Sequence, residues 1–250
     1  MFKDIYEADG RLFINYAHRG ASEYAPENTL SAFELGIEQK ANGIETDVRI
    51  SSDGILYLFH DDNLDRVTDG FGPVGGLSFA ELRRLNVIGR SGDFPPDKII
   101  SFAEFLDFVK DKGVHLAIEI KEDGIEERIV KAMQPYGLEE RTIVTSFSFP
   151  IIKKISEMSG FRVGYLIREL SDEAVERLRS IKCYQICPNV RDVSKESVER
   201  LKDMGFSVRA WGIRTLQDME NAYRSGVDGM TINFPDKLYS LVCAENAKEK

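Results

Sequence analysis

The sequence predicts an α/β protein of the (β/α)8 barrel class, a TIM barrel, and three observations support that prediction. Short runs rich in β-branched residues alternate with longer amphipathic stretches along most of the chain, as in a parallel sheet flanked by helices. The length of 250 residues suits one large barrel domain. One pair of strands is too close in sequence for a helical crossover, which reduces nine predicted strands to eight barrel strands.

The predicted elements follow in chain order. Strands are predicted at 12–18, 43–50, 55–60, 114–120, 142–146, 162–167, 184–188, 207–211 and 229–233. Helices are predicted at 29–40, 102–112, 125–136, 149–159, 172–180, 195–204, 216–225 and 236–245. Ser78, Ser101 and Thr215 each stand three positions before an acidic residue, a spacing typical of a capping box where a helix begins.

The strands at 43–50 and 55–60 are expected to form an antiparallel hairpin joined by an Asp-Gly turn. Two registers are open: one places Glu45 opposite His60, and the other places Asp47 opposite His60. Side chains alternate with period two along a strand, so in either register His60 lies on the same face as the two carboxylates. The remaining eight strands are expected to close the barrel.

The alternation of strands and helices breaks down after the hairpin. Residues of about 64–98 are rich in glycine and proline and contain one short helix candidate, 79–85. We expect an insertion over the barrel mouth, too short for a core of its own, within a single domain spanning 1–250. Because barrel active sites lie at the carboxyl ends of the strands, the insertion is expected to form one wall of the pocket. The polar C-terminal residues 244–250 are expected to fray.

The composition is that of an ordinary soluble globular protein, with 42% hydrophobic and 30% charged residues. The formal net charge of −9 argues against nucleic acid or an anionic membrane as the main partner. Residues 1–10 are too acidic for a secretory signal, and no run approaches the ~20 apolar residues of a membrane-spanning helix. Three cysteines, an odd number, suggest a reducing compartment, so a cytoplasmic location is expected. The oligomeric state is open.

Glu45 and Asp47 lie two residues apart on one predicted strand and therefore point to the same face. Buried carboxylates are costly unless they are paired or bind something; the alternative is salt bridges, for example to Arg49. Glu119 and Lys121 repeat the spacing on another strand, where the alternative is an ion pair within the strand. Three inward acids from two strands favour Ca²⁺ or Mg²⁺, because oxygen-only ligation suits these ions better than zinc.

Two of the three histidines, His18 and His60, fall at predicted strand ends near the mouth. Imidazoles there can move protons, and Arg19 and Lys121 can hold a phosphate. Together with the carboxylates, these groups are the equipment for metal-assisted attack on a phosphate ester.

His115 and Trp211 are two further residues that the sequence singles out. His115 lies near the opposite end of its strand and is expected to be structural or on the surface. Trp211 ends the strand at 207–211, where it serves either as a platform for the carbon chain of a substrate or as core filling, and both uses stay open.

A series of motifs runs through nearly the whole chain: Ala17-His-Arg-Gly20, Ala25-Pro-Glu-Asn-Thr29, Gly43-Ile-Glu-Thr-Asp-Val48, His60-Asp61, Leu64-Asp-Arg66, Ile118-Glu-Ile-Lys121, Thr145-Ser-Phe147, Ala210-Trp211, Gly226-Val-Asp-Gly229 and Asn233-Phe-Pro235. In this order and spacing they strongly resemble the glycerophosphodiester phosphodiesterase family. The resemblance implies a barrel that hydrolyses glycerophosphodiesters to glycerol 3-phosphate and an alcohol.

Carried over residue by residue, the resemblance implies three groups of site residues: the divalent-metal ligands Glu45, Asp47 and Glu119, the acid–base pair His18 and His60, and the phosphate-binding Arg19 and Lys121. His60 is taken as the base and His18 as the acid, with the exchanged order left open. The chain departs from the family where it has Asn233 in place of a frequent aspartate, and Ile100-Ser101-Phe102 in place of a frequent Pro-Thr-Leu. Neither departure is expected to affect the chemistry.

Three alternatives remain beside this interpretation. A lysophospholipase D-type enzyme of the same barrel family would act on lipid substrates and would need an apolar channel. A barrel without catalysis would only bind phosphate compounds. An unrelated barrel enzyme would have to carry the ordered motifs by coincidence, since fold alone does not indicate function.

Overall fold

The computed structural model describes residues 3–8, 11–90 and 92–248, and its centre is a closed sheet of parallel strands with one antiparallel strand at the rim. The strands are β1 Ile14–His18, β2 Gly43–Ile50, β3 Leu56–Leu58, β4 His115–Ile120, β5 Thr142–Ser146, β6 Arg162–Ile167, β7 Gln185–Pro188, β8 Ser207–Ala210 and β9 Gly229–Ile232. The order β1-β9-β8-β7-β6-β5-β4-β2 closes from β2 back to β1. The predicted (β/α)8 barrel is confirmed.

Helices alternate with the strands and pack around the sheet: α1 Leu30–Glu38, α2 Phe79–Leu82, α3 Phe102–Val109, α4 Glu126–Met133, α5 Phe149–Met158, α6 Asp172–Ser180, α7 Lys195–Asp203, α8 Leu216–Arg224 and α9 Pro235–Lys248. The predicted capping boxes form at Ser78, Ser101 and Thr215, where they satisfy N–H groups that have no partner within the helix. The helix predicted at 125–136 ends at Met133 and continues as a 3-10 turn, because a proline in that turn has no N–H to donate.

The hairpin forms, but both predicted registers are wrong. Val48 of β2 lies opposite Leu58 of β3, so continuing the pairing would place His60 opposite neither of the two carboxylates. The turn is the three-residue loop 52–54, with Gly54 at φ 83°, the left-handed position such turns require. Because β3 ends at Leu58, the chain leaves the ladder, and His60 reaches the barrel mouth from the following loop.

The insertion after β3 packs on a small hydrophobic cluster that it shares with the hairpin: Tyr57, Phe59, Leu64, Val67, Val74, Leu82, Val87 and Ile99. Tyr57 and Phe59 come from the hairpin side, so this cluster ties the insertion to the barrel rim. The predicted helix at 79–85 ends at Leu82. Short strands at Asn86–Val87 and Asp97–Lys98 pair antiparallel within the insertion.

The two chain ends meet on the outside of the barrel. A short helix, Lys3–Tyr6, contacts α9, and Asn246 Nδ2 donates to Ile5 O at 2.8 Å. Helix α9 therefore extends through residues 244–248, where fraying was expected; residues 249 and 250, like 1, 2, 9 and 10 of the N-terminal segment, lie outside the described residues. The first strand was predicted to begin at residue 12, but Arg11–Leu12 pairs with Glu7–Ala8 instead of joining the barrel. Across the described ranges, no helix combines the length and the apolar run that crossing a bilayer requires.

Candidate active site

Three carboxylates converge inside the barrel near the carboxyl ends of β2 and β4. The parallel register places Asp47 beside Glu119, and the alternation along β2 puts Glu45 on the same face as Asp47. All three are buried, and one ligand oxygen from each lies within 4.8 Å of the others. The structure therefore brings together the three acids predicted from their spacing.

The charge balance within this acidic cluster is uneven. Burial, together with the charges of Asp47 and Glu119, raises the pKa of Glu45 well above its usual value. Burial also acts to raise the pKa of Asp47, but the charges of Arg19 and Lys121 outweigh it and hold that pKa below its ordinary value. A buried carboxylate whose pKa is raised by the like charges of its neighbours favours a bound cation beside it.

Lys121 forms an ion pair with Glu119, which the sequence offered as the alternative to metal binding. Its Nζ lies 2.7 Å from Glu119 Oε1 and 3.5 Å from Asp47 Oδ1. Burial opposes the charge on Lys121, but the two carboxylates still raise its pKa. The other alternative was salt bridges from Glu45 and Asp47 to Arg49 or another base. The bridges to Arg49 do not form, because Arg49 pairs with Asp62 and Glu122, but Asp47 pairs with Arg19 and Lys121.

The acids fit a hard divalent cation. Within the described part of the chain, the buried Asp47 Oδ1 accepts no hydrogen bond, so one ligand oxygen remains available. The donors of the three-acid group are all carboxylate oxygens, which suits Mg²⁺ or Ca²⁺.

His18 ends β1 beside Glu45, its register partner on β2. Its Nδ1 lies 2.6 Å from Asn233 Oδ1 and its Nε2 lies 3.8 Å from Glu45 Oε2. Burial and the adjacent Arg19 charge lower the pKa of His18 to about 3. Closure of the barrel places the end of β9 against the end of β1, so Asn233, which was expected to lie outside the chemistry, contacts a predicted acid–base residue.

His60 enters the site from the loop after β3. Its Nδ1 lies 2.5 Å from Asp61 Oδ1, and Asp61 Oδ2 accepts from Arg66 Nε at 2.5 Å. Although burial opposes it, hydrogen bonds from Arg66 and His60 lower the pKa of Asp61. Asp61 therefore stays ionised and fixes the orientation of the His60 ring.

Arg19 follows β1 in a left-handed conformation, with φ 56°. Non-glycine residues rarely adopt this geometry, and it is concentrated at functional sites. The conformation directs the guanidinium inward, where Nη1 lies 2.7 Å from Glu27 Oε1 and Nε lies 3.1 Å from Asp47 Oδ2. Glu27 also accepts two hydrogen bonds from Arg66, so a continuous polar chain joins Arg19 to Asp61.

Several of these site residues were quoted only as parts of motifs and received no role from the sequence: Glu27, Asn28, Asp61, Arg66 and Asn233. Asn28, with φ 57°, donates to Asp47 Oδ2 at 3.0 Å and accepts from Thr46 Oγ1. Asparagine adopts the left-handed conformation more readily than most other residues, but nothing in the sequence indicated that Asn28 does so or that it contacts Asp47.

An open cleft lies above the acids and has two adjoining arms of about 850 and 820 Å³. Both arms are bordered by His60, Lys121 and Phe147. Trp211 borders the second arm, donates Nε1–H to Cys187 O at 2.9 Å and meets the Phe147 ring edge-on at 5.2 Å. It therefore faces the cleft while its indole N–H is anchored in the barrel. His115 begins β4 and borders a separate cavity at the opposite end of the barrel.

Comparison with known proteins shows the family of the chain. The model of the Glycerophosphoryl diester phosphodiesterase family matches residues 18–237. A glycerophosphodiester phosphodiesterase from Caldanaerobacter subterraneus subsp. tengcongensis is 33% identical over 233 residues, which cover 90% of this chain and 96% of the relative.

Solved structures share the same fold. The structure of an Oleispira antarctica phosphodiesterase in complex with the product sn-glycerol-3-phosphate has a TM-score of 0.84 and 28% identity, and covers 92% of this chain and 96% of that chain. A glycerophosphodiester phosphodiesterase from Thermotoga maritima has a TM-score of 0.77 and covers 94% of this chain and 100% of that chain; at 24% identity it supports the fold alone.

Proposed function

The chain belongs to the glycerophosphoryl diester phosphodiesterase family, and from that premise we propose that it hydrolyses glycerophosphodiesters to glycerol 3-phosphate and an alcohol, with a divalent cation and two histidines. It is a phosphoric diester hydrolase. The observation that carries the proposal is the buried group of Glu45, Asp47 and Glu119, which lies between His18 and His60 at the mouth of the barrel.

The three carboxylates are the proposed ligands of one Mg²⁺ or Ca²⁺ ion. When bound, such an ion supplies positive charge to the phosphoryl oxygens and orients the ester. Arg19 and Lys121 are proposed to stabilise the charge that develops on the same oxygens.

The contacts of the two rings favour His18 as the base and His60 as the acid, the exchanged order. With its pKa lowered to about 3, His18 is neutral near pH 7. Its Nδ1 donates to Asn233 Oδ1, which leaves Nε2 without a proton and able to accept one. Asp61 offsets the positive charge that His60 carries when it is protonated.

When water attacks, the proposed reaction balances in one displacement, and His18 Nε2 takes a proton from the water oxygen. The new P–O bond forms as the P–O bond to the alcohol breaks, and His60 gives its proton to the leaving alkoxide. If a hydroxyl of the substrate attacks instead, the first displacement gives a cyclic phosphodiester, and water opens it in a second displacement. Trp211 is proposed to contact the carbon chain of the substrate from the side wall of the cleft.

The whole chain, 1–250, is proposed to act as one catalytic domain, with the insertion of about 64–98 as a wall of the cleft. Its residues Asp65, Arg66 and Gly72 border the 850 Å³ arm, which supports that role. We also propose a cytoplasmic location, supported by three cysteines that are all unpaired in the structure.

The test is release of glycerol 3-phosphate from glycerophosphocholine and glycerophosphoethanolamine. Activity should disappear after EDTA treatment and return with Mg²⁺ or Ca²⁺. His18→Ala and His60→Ala should each lower kcat by roughly a hundredfold or more, with cation affinity largely kept. His115→Ala is the matched control, because this third histidine lies at the far end of the barrel, and its kcat should stay within about twofold. Near-normal turnover of His18→Ala would contradict the proposed roles.

One observation favours the second substrate class, lysophospholipids. Phe71 on the insertion is 85% exposed, and the next residue, Gly72, borders the cleft. An exposed aromatic ring beside the mouth suits contact with an acyl chain. Turnover of lysophosphatidylcholine should then depend on Phe71, so that Phe71→Ser lowers it while glycerophosphocholine turnover is kept. Equal effects on both substrates would remove this candidate.

A further inference from the structure

The rim of the 820 Å³ arm is positively charged, although the chain carries a formal net charge of −9. Apart from the site residues above and Arg209 on the barrel floor, the charged side chains that border this arm are Arg90, Arg168, Arg214 and Glu23. We call Arg90, Arg168 and Arg214 the cationic rim. Three cations against one carboxylate, in an acidic protein, point to a local preference for negative charge.

Arg168 is the central member of the cationic rim. It directly follows β6, at the carboxyl end of the barrel, and it borders both arms of the cleft. Its guanidinium lies 4.5 Å above the centre of the Phe147 ring, and its side chain makes no ion pair or hydrogen bond with the described parts of the chain. A cation at the mouth of the cleft is therefore held in place and has not been neutralised.

The other two members of the cationic rim are also weakly compensated. Within the described ranges, Arg90 pairs with Glu23 alone, at 3.8 Å, and the Arg214 side chain has no partner. By contrast, Arg49 in the other arm pairs with both Asp62 and Glu122. Arg168 borders both arms, but Arg90 and Arg214 border the 820 Å³ arm and not the other, so the unbalanced positive charge is concentrated on that side of the cleft.

The Arg168 guanidinium lies over the Phe147 ring, and the described parts of the chain use none of the N–H donors that form its planar fork. That fork matches the geometry of a carboxylate or a phosphate. We propose that the cationic rim, through Arg168, binds an anionic group on the leaving alcohol, so that the enzyme prefers glycerophosphodiesters whose alcohol carries a carboxylate or phosphate. This inference rests on the proposed function.

Two substrates that differ by one carboxylate provide the test: glycerophosphoserine and glycerophosphoethanolamine. The measured quantity is the ratio of their kcat/KM values. The wild type should favour glycerophosphoserine by about fivefold, a factor typical of one well-placed but partly exposed ion pair. Arg168→Gln should bring the ratio close to one, and Arg168→Lys, which keeps the charge without the planar fork, should give an intermediate ratio.

Arg177→Gln is the matched control. Arg177 also stacks on a phenylalanine, 3.7 Å above the Phe149 ring, but it does not border either arm of the cleft. It removes the same charge from the protein, so its ratio should equal that of the wild type.

The outcomes separate the two proposals. A wild type that cleaves both diesters with a ratio that Arg168→Gln leaves unchanged, or that Arg177→Gln lowers equally, overturns the role of the cationic rim alone. A wild type that releases glycerol 3-phosphate from neither diester overturns the proposed function, and this inference with it.

Discussion

Asn233→Asp tests how His18 is held in its neutral form. In the structure Asn233 Oδ1 accepts from His18 Nδ1 at 2.6 Å. The variant keeps the acceptor oxygen and adds a negative charge, and the family resemblance implies that the fold accepts aspartate at this position. The perturbation is therefore electrostatic and leaves the packing nearly unchanged.

The size of the effect follows from the contact. A hydrogen bond to a charged acceptor contributes about 1 kcal/mol more than one to a neutral acceptor. At an effective dielectric constant of about 20, a unit charge ~4 Å from the ring contributes about 4 kcal/mol. Between these bounds the imidazolium form gains roughly 1–4 kcal/mol, so the pKa of His18 rises from its value of about 3.

The assay is a pair of titrations. Histidine ring resonances followed by NMR from pH 4 to 8, assigned with His115→Ala and His60→Ala, should shift further towards the acid end of the range for His18 in Asn233→Asp than in the wild type, whose pKa of about 3 lies below that range. The acid limb of kcat/KM should move to higher pH as well, because a base loses activity once it is protonated. If His18 titrates alike in both proteins and the two limbs coincide, the hydrogen bond to Asn233 does not control this histidine.

Three further single substitutions and one pH effect can be measured with the same protein. Glu119→Gln should weaken Mg²⁺ or Ca²⁺ binding at least about tenfold by isothermal titration, since it removes one of three charged ligands; unchanged affinity would place the ion elsewhere. Asp61→Asn should lower kcat about ten- to a hundredfold with little change in KM, because the amide no longer offsets the charge on His60; a change in KM alone would indicate a binding role. Gly43→Ala should lower the free energy of unfolding, measured by urea titration, by about 1–3 kcal/mol, because the added Cβ would lie 2.6 Å from Ile14 Cγ2. Gly75→Ala is the control, because its added Cβ meets nothing within 4 Å. The folded-state pKa of His18, about 3, lies below the ordinary 6.5, so the unfolded chain takes up the proton first, and the stability of the metal-free protein should fall as pH drops from about 6.5 towards 3. In urea titrations at pH 7, 5 and 4, His18→Gln should show a shallower fall in stability than the wild type. A steeper fall in the variant would contradict the assignment.

The parts of the fold and site that depend on local sequence were predictable. All eight strands of the barrel end where the patterns indicate, or within one residue of it. Period-two alternation sufficed to put the three acids on inward faces, because a barrel strand has only two faces. Their joint position needed only the further assumption that β2 and β4 are neighbours.

The contacts that could not be predicted join residues far apart in sequence. Asn233 meets His18 across 215 positions, and Arg66 meets Glu27 across 39. The first depends on closure of the barrel, and the second depends on how the insertion packs against the loop after β1. The hairpin register failed for another reason: a three-residue turn shifts the pairing by one, and each such shift exchanges the faces of every following residue.

The period-two alternation along β8 also predicts the position of Arg209. It lies two residues before Trp211 on β8 and is fully buried; Nη2 contacts Cys187 Sγ at 3.4 Å, while Nε and Nη1 have no hydrogen-bond partner in the described chain. A lone buried guanidinium would be very costly, but its charge acts on Glu45, and Arg19, Lys121 and Arg209 together oppose the three carboxylates. An inward-facing arginine on β8 is thus a reason in itself to expect carboxylates elsewhere in the interior. Applied to 207–211, the alternation that located the acids would also have placed this cation inside the barrel.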